Sequence, residues 1–328
     1  MMGPRDVVLL VTHSGDTYTV DRVAEALVRR GARPRRLDSD RFPSALQLTA
    51  ALDGNARVTL RDADGPLDGD AVRAVWLRRL WPAAFDEELE PALRQGCVRE
   101  SMAAMLGVLD AFHDRRIINR ADATQAAENK PRQLRLARAL GLEIPRTIVT
   151  NDPAEVLAFH GANDGRIVTK MLTALTQSMD GTTPFVHTSA VQPEDLAALD
   201  GLRYSPMVFQ EHVAKAHELR VAVVATPGGG RCFAGAIDAS SSVAGQVDWR
   251  RSGPGEARWR PGALPDDVAA KLVALVRALD LTYGAADLIV TPDGRHVFLE
   301  VNPAGEWGML ERELGLPIAD ALADALLA

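Results

Sequence analysis

Asp287, Glu300 and Asn302 are the residues whose types and spacing most clearly suit concerted chemistry. They lie in residues 285–303, where Asp293-Gly294 separates two β-rich runs, a strong hairpin signal. With those two residues as the loop, Asp287 faces Glu300 across the strands. Two carboxylates so placed repel unless a cation lies between them. Asn302 stands two residues beyond Glu300 and shares its face. Three hard oxygen donors on a rigid hairpin suit magnesium, which completes its octahedron with waters and phosphate oxygens. The same residues would also decorate the solvated face of an edge hairpin. Glu-Val-Asn-Pro followed by Gly305 and Trp307 favours the metal.

Magnesium held this way needs polyphosphate, and polyphosphate needs cations from the protein. Lys170 ends an apparent strand. Lys130 precedes Pro131 at a helix start, where the helix dipole disfavours positive charge unless an anion is bound. Either lysine alone reads as an ordinary surface residue. Gln210, Glu211, His212 and Val213 close an extended run, and a second run begins at His217. There Glu218 and Arg220 share one face while Leu219, Val221 and Val223 share the other. A carboxylate at that place can accept both hydroxyls of a ribose, and a neighbouring guanidinium can hold a phosphoryl group bidentately. A plain salt bridge on a half-exposed strand explains the pair equally well.

The elements that must position these residues follow an α/β order. An apolar run at 7–11 and a helical pattern from Val20 to Leu27 ending at Gly31 are followed by short strands near 34–37 and 74–77. They predict a small doubly wound domain over residues 1–118. It carries neither a dinucleotide fingerprint nor a Walker loop. A central lobe is expected over 119–206 and a C-terminal lobe over 207–328. Residues 172–183 read as a mobile loop or hairpin tip, Gly228-Gly229-Gly230 as a hairpin turn, 266–279 as a helix, and 310–327 as one closing helix.

The bulk properties narrow the function. The chain has 328 residues, 47% hydrophobic and 25% charged, with a net charge of −7. That is an ordinary globular composition, and scattered basic residues offer no footprint for a nucleic-acid backbone. Cys97 and Cys232 stand far apart without companion ligands, so two buried thiols are expected and not a disulfide framework or zinc site. No stretch approaches the ~20 apolar residues of a membrane span, and no signal-peptide core precedes the first strand. A cytoplasmic location is expected.

Taken in order, Lys130, Lys170, Gln210-Glu211-His212-Val213, Glu218-Leu219-Arg220, Asp287 and Glu300-Val301-Asn302 resemble the ATP-grasp superfamily over roughly residues 119–328. Four further words resemble the microviridin-type ligases that make graspetides: Leu37-Asp38-Ser39-Asp40-Arg41-Phe42-Pro43, Val75-Trp76-Leu77-Arg78-Arg79, Asp248-Trp249-Arg250, and Phe298 through Trp307. The resemblance implies a three-domain ATP-grasp architecture, α/β and α+β, whose N-terminal domain is doubly wound. It implies ATP and Mg2+ as cofactors. Lys130 and Lys170 would contact phosphates, and the segment from Gln210 to Val213 would read the adenine edge. Glu218 would hold ribose, Arg220 would stabilise the transferring phosphoryl group, and Asp287, Glu300 and Asn302 would bind magnesium.

It further implies a ribosomal precursor peptide as substrate. An Asp or Glu side chain of its core would be phosphorylated and then attacked by a Ser or Thr hydroxyl or a Lys amine. Its leader would lie on residues 167–188 and on a helix at 193–199, where Glu194 and Asp195 could meet a basic residue. Arg78, Arg79 and Arg250 could hold acidic core side chains. The same residues also read as a helix N-terminus and solvated arginines. The expected partners are that peptide and a second copy in a homodimer, with no nucleic acid and no membrane. A carboxylate–amine ligase acting on amino acids or a protein end, and a nucleotide- and peptide-binding module without turnover, remain the competing readings.

Overall fold

The computed structural model describes residues 5–52, 57–172, 188–237 and 258–328. The first unit comprises β1 (Val7–Thr12), α1 (Tyr18–Arg29), β2 (Arg33–Asp38), β3 (Gln47–Ala51), β4 (Arg57–Asp62), β5 (Gly65–Asp68), β6 (Val72–Leu77), α2 (Pro91–Asp110) and β7 (Arg116–Ile118). Strands β2-β1-β6-β7 form a parallel sheet. Every residue of β1 is buried, as a strand covered on both faces requires. Val8 and Leu10 pack with Val20, Val23 and Leu27 of α1. Val7, Leu9 and Val11 pack with Met105, Val108 and Leu109 of α2.

The doubly wound sheet is therefore as expected, but β3-β4-β5 form a separate antiparallel sheet that the α/β reading missed. Its strands are short and rich in Arg, Asp, Ala and Thr. Val58, Leu60 and Leu67 carry it into the core, with half-buried Leu48 packed against them.

The chain continues through α3 (Ala121–Ala127), α4 (Lys130–Ala139), β8 (Thr147–Thr150), α5 (Pro153–Gly161), β9 (Ile167–Lys170), β10 (Ser189–Ala190), α6 (Pro193–Ala197) and β11 (Met207–Glu211). Strands β10-β9-β11-β8 make the central sheet. Strand β11, expected to open the C-terminal lobe, pairs instead with β8 and β9. Helices α3 and α4, expected in the central lobe, bury Ala123, Ala127, Leu134 and Ala137 in the C-terminal core. The two lobes exchange elements at both ends of the central sheet because apolar faces follow packing partners and not chain order.

The C-terminal lobe holds β12 (His217–Thr226), β13 (Gly229–Ile237), β14 (Trp259–Pro261), α7 (Asp266–Ala278), β15 (Tyr283–Val290), β16 (His296–Asn302), α8 (Gly308–Leu314) and α9 (Ile318–Leu327). Its antiparallel sheet runs β14-β13-β12-β15-β16. Leu219, Val221 and Val223 of β12 share a core with Leu272, Leu275 and Val276 of α7. Ala222 and Val224 share another with α9, Val8 and Leu10, which ties this sheet to the N-terminal one.

The single closing helix expected over 310–327 is two helices. Gly315 adopts φ +66° and Pro317 follows, a stop signal that the apolar spacing obscured. Gly229 begins β13, so the glycine run is the hairpin turn expected. Cys97 and Cys232 are half-buried, not buried. Most of the expected loop at 172–183, most of the expected leader hairpin at 167–188, and Arg250 lie outside the described residues.

Candidate active site

The β15/β16 hairpin sets the carboxylates, and it does so by two offsets that cancel. Its loop holds three residues, Pro292-Asp293-Gly294, between Thr291 and Arg295, closed by the Thr291 amide on the Arg295 carbonyl at 3.0 Å. Gly294 sits at φ +85°, the left-handed place such loops need. The longer loop shifts the register, so Leu288 pairs with Phe298. A bulge between Asp287 and Leu288 then shifts it back, leaving Leu299 unpaired and Asp287 opposite Glu300. Bulges of this kind re-aim side chains beside active sites. Half-buried Leu299 is a neighbour of Glu300 that the two-residue loop reading could not single out.

Arg220 lies opposite Asp287 in the next strand pair. Arg220, Asp287 and Glu300 thus form one lateral row across β12, β15 and β16. Arg220 Nη1 donates to both Asp287 oxygens, at 2.7 and 2.8 Å, while its buried Nε has no hydrogen-bond partner. At the other end of the row Lys130 Nζ donates to Glu300 Oε2 at 2.5 Å, with Lys170 Nζ 3.9 Å from the same oxygen. Lys130 is the first residue of α4, whose cap is the Asn129 side chain accepting from the Arg132 amide at 2.9 Å. Asn302 follows on β16, its Oδ1 accepting from the Ala304 amide at 3.0 Å.

Glu218 is paired with Lys215 at 2.6 Å. Gln210 is buried and donates to Thr147 Oγ1 at 2.9 Å. The Glu211 carboxylate accepts from the Arg146 amide and Nε, at 2.9 and 2.8 Å. That leaves the backbone of Glu211, His212 and Val213 as the crossing between lobes. Burial lowers the His212 pKa, with Lys215 and Arg166 adding to it. A cavity of about 520 Å³ opens between α4 and the central sheet, lined by Lys130, Leu134, Arg138, Thr147, Lys170 and Val208. Its size suits a nucleotide, and it meets the lysine end of the row without reaching the 211–213 crossing.

Arg78 is not a solvated arginine. It is 2% exposed, donates to the Ala304 carbonyl at 2.5 Å and to Glu306 at 2.6 Å, and lies 3.6 Å from Asp16. Arg79 is partly exposed, 3.6 Å from Glu306. Asn119 anchors the same loop: its amide donates to the Tyr283 and Pro303 carbonyls at 2.8 and 3.0 Å. Tyr283 donates to the Gly305 carbonyl at 2.8 Å. Burial raises the Tyr283 pKa while Arg78, Arg220 and Arg79 all pull it down. The Arg78 bonds to Ala304 and Glu306 thus tie the N-terminal sheet to the loop after β16, a link that sequence spacing could not disclose. Glu194 and Asp195 are exposed on α6, where Asp195 accepts from the Gln192 amide at 2.8 Å.

No group of three or more His, Cys, Asp or Glu suited to a metal occurs among the described residues. A magnesium site would consist of two carboxylates and an amide, with phosphate oxygens and waters filling the shell, which suits that ion. The pairing of both carboxylates with cations in the protein alone shows that the row demands positive charge.

Residues 7–125 match the family model of the MvdD pre-ATP grasp domain, and no curated protein matches the chain. Three solved structures are similar over nearly the whole length. Macrocyclase MdnB from Microcystis aeruginosa MRC is 43% identical with a TM-score of 0.82, covering 98% of this chain and 99% of that one. Macrocyclase MdnC of the same organism, bound with precursor peptide MdnA, is 33% identical with a TM-score of 0.86 and the same coverages, 98% and 99%. A Chryseobacterium gregarium RiPP-associated ATP-grasp ligase, in complex with ADP and a leader and core peptide, is 30% identical with a TM-score of 0.90, covering 98% of this chain and 96% of that one. With these identities over whole chains, the protein belongs to the graspetide-type ATP-grasp ligases, the family of the macrocyclases MdnB and MdnC.

Proposed function

We propose that the protein uses ATP to activate Asp or Glu side chains of a ribosomal precursor peptide and joins them to Ser or Thr hydroxyls or Lys amines, closing macrocycles. The observation that carries this is the Arg220–Asp287–Glu300 row with Lys130 at 2.5 Å from its end. A carboxylate is a poor electrophile because its charge is delocalised and oxide is a poor leaving group. In the first step its oxygen attacks the γ-phosphorus, and the bridging P–O bond breaks with its electron pair leaving on ADP. In the second, the hydroxyl or amine attacks the acyl carbon, the C–O bond to phosphate breaks, and the nucleophile's proton leaves with phosphate or water. No protein nucleophile is required; positioning and electrostatics suffice.

In this reading Lys130 and Lys170 exchange Glu300 for phosphate oxygens, and Lys215 releases Glu218 to the ribose. Gln210 holds the strand end from which the Glu211–Val213 backbone meets the adenine edge. Arg220 leaves Asp287 to neutralise the transferring phosphoryl group. Asp287, Glu300 and Asn302 would hold magnesium, which would supply charge neutralisation to the phosphates. The net charge of −7 supports a peptide substrate over nucleic acid. No described helix is long and apolar enough to cross a membrane. A cytoplasmic homodimer completes the proposal, with Glu194 and Asp195 meeting the leader and Arg250 the core.

The test is co-expression with a Thr-, Ser-, Asp- and Glu-rich precursor encoded beside the gene. Loss of one water per link, with fragmentation placing each link between an acidic and a nucleophilic side chain, is expected. Intact precursor together with no ADP formation would refute the reading.

A further inference from the structure

Helix α4 meets the β15/β16 hairpin through two side chains one turn apart. Lys130 Nζ reaches Glu300 Oε2 at 2.5 Å. Gln133 is 2% exposed and bonds to the backbone of β16. Its Oε1 accepts from the Val301 amide at 2.9 Å, while its Nε2 donates to the Val301 carbonyl at 2.8 Å and to the Ala127 carbonyl at 2.6 Å. Val301 stands between Glu300 and Asn302. One uncharged amide thus grips both polar backbone groups of the residue that separates two of the three proposed magnesium ligands. The Gln133 amide in turn donates to the Asn129 carbonyl at 3.0 Å, so Lys130 and Gln133 belong to one closed helical turn.

The grip answers a need of the strand. β16 is an outer strand of its sheet, and a buried amide or carbonyl left unpaired there costs about 1–3 kcal/mol. Gln133 supplies a donor and an acceptor together, as a neighbouring strand would. Alternation sets Val301 on one face of the sheet and Glu300 with Asn302 on the other. Val301 shares a core with Leu134 and Ala137 of α4. The helix therefore packs against the face away from the carboxylates, and Lys130 must reach round the strand edge to Glu300. Whether it meets that carboxylate depends on where α4 sits along β16, and Gln133 fixes the place. The open end of the hairpin has its own tie, since Asn119 bonds the Tyr283 and Pro303 carbonyls. Gln133 joins helix to strand instead.

We propose that Gln133 is a positioning residue that holds Lys130 and the Glu300–Asn302 pair in one frame. A phosphate oxygen bound by the lysine and a divalent ion bound by the carboxylate and amide would then meet at a fixed separation; this rests on the ligase reading above. Gln133 touches neither nucleotide nor ion and acts only through the helix and strand it joins. Groups that orient metal ligands in this way are worth about 10- to 100-fold in metal affinity.

The probe is Mn2+ titrated into the ADP-loaded protein, read by loss of the free-ion EPR signal, beside calorimetric ADP titration in EDTA. Gln133→Met keeps the side-chain length and removes its hydrogen bonds. It should weaken Mn2+ about 10-fold or more while metal-free ADP affinity holds within about threefold. Gln133→Glu, kept neutral by burial and the two facing carbonyls, retains one donor and one acceptor and should weaken Mn2+ by an intermediate amount. A residue serving stability alone would leave the Mn2+ affinity of the folded protein unchanged, and that result in Gln133→Met overturns the proposal. Equal losses of Mn2+ and metal-free ADP affinity overturn it too, because they mark a general distortion of the cavity. If the methionine variant does not fold, Gln133→Glu carries the test, and unchanged Mn2+ affinity there overturns the role. The ligase reading fails separately: wild-type protein that takes up no Mn2+ with ADP, or leaves co-expressed precursor intact, refutes it whatever residue 133 does.

Discussion

Arg220 spends one nitrogen on both oxygens of Asp287, at 2.7 and 2.8 Å, while its Nε is buried without a partner. The guanidinium is thus aimed into the row but only half used. Replacing it with alanine should cut single-turnover product formation by about 10³-fold, as loss of a phosphoryl-stabilising arginine does. ADP affinity should move only a few-fold. Single-turnover quench measurements paired with calorimetric ADP titration separate the two, and retained turnover would remove Arg220 from the phosphoryl-transfer role.

Asp287 faces Glu300 on one side and Arg220 on the other. Asp287→Asn keeps the shape and removes the charge that a divalent ion needs. The magnesium concentration giving half-maximal ADP formation should rise about 10-fold or more. An unchanged metal titration would place the ion elsewhere.

The Lys130–Glu300 contact of 2.5 Å is partly exposed, at 20% and 19% of the two side chains. Such a pair adds little to stability, about 0–1 kcal/mol, so its value lies in nucleotide binding. Lys130→Met should weaken ADP about 10-fold with a change of under about 1 kcal/mol in unfolding free energy. Lys170, 3.9 Å from the same oxygen, keeps Glu300 from being stranded. Equal ADP affinity in calorimetry would contradict the assignment.

How much of this was legible in the sequence depends on the kind of signal. The Asp287–Glu300 pairing was read from a hairpin whose loop is one residue longer than assumed. It survived because the bulge at Leu299 restores the register, and no local pattern announces a bulge. The two-faced character of β12 was legible at its start, where Glu218 and Arg220 alternate with Leu219 and Val221. The placement of β11 and of α3 and α4 was not, because each lobe borrows an element that is distant in sequence. Arg78 looked like a surface residue because its partner, Glu306, meets it only in the fold.

Cys232 offers a pH test. Its thiol is pushed from 9.0 to about 11 by burial, so the folded state binds this proton more tightly than the unfolded chain. The associated stability is present below pH 9 and is lost as pH rises through the interval from 9.0 to about 11. The thermal midpoint of the wild-type protein should fall faster across that interval than that of Cys232→Ala. Parallel profiles for the two proteins would show that the thiol titrates normally.

Gly305 ties the loop chemistry to the metal row. A Cβ there would collide with Ala285 Cβ and lie 3.1 Å from Asn302 Cβ, and Ala285 and Asn302 are themselves a cross-strand pair. The Gly305 carbonyl also accepts the Tyr283 hydroxyl. Alanine at 305 therefore wedges the hairpin where Asn302 meets its neighbour, at a cost of about 1–3 kcal/mol in unfolding free energy. Because the wedge displaces Asn302, the magnesium requirement should rise as well, while Lys130 and Lys170, on other elements, keep ADP affinity near wild type. Chemical denaturation and a metal titration on Gly305→Ala check both consequences. A destabilised variant with an unaltered metal requirement would show that Asn302 is not a ligand.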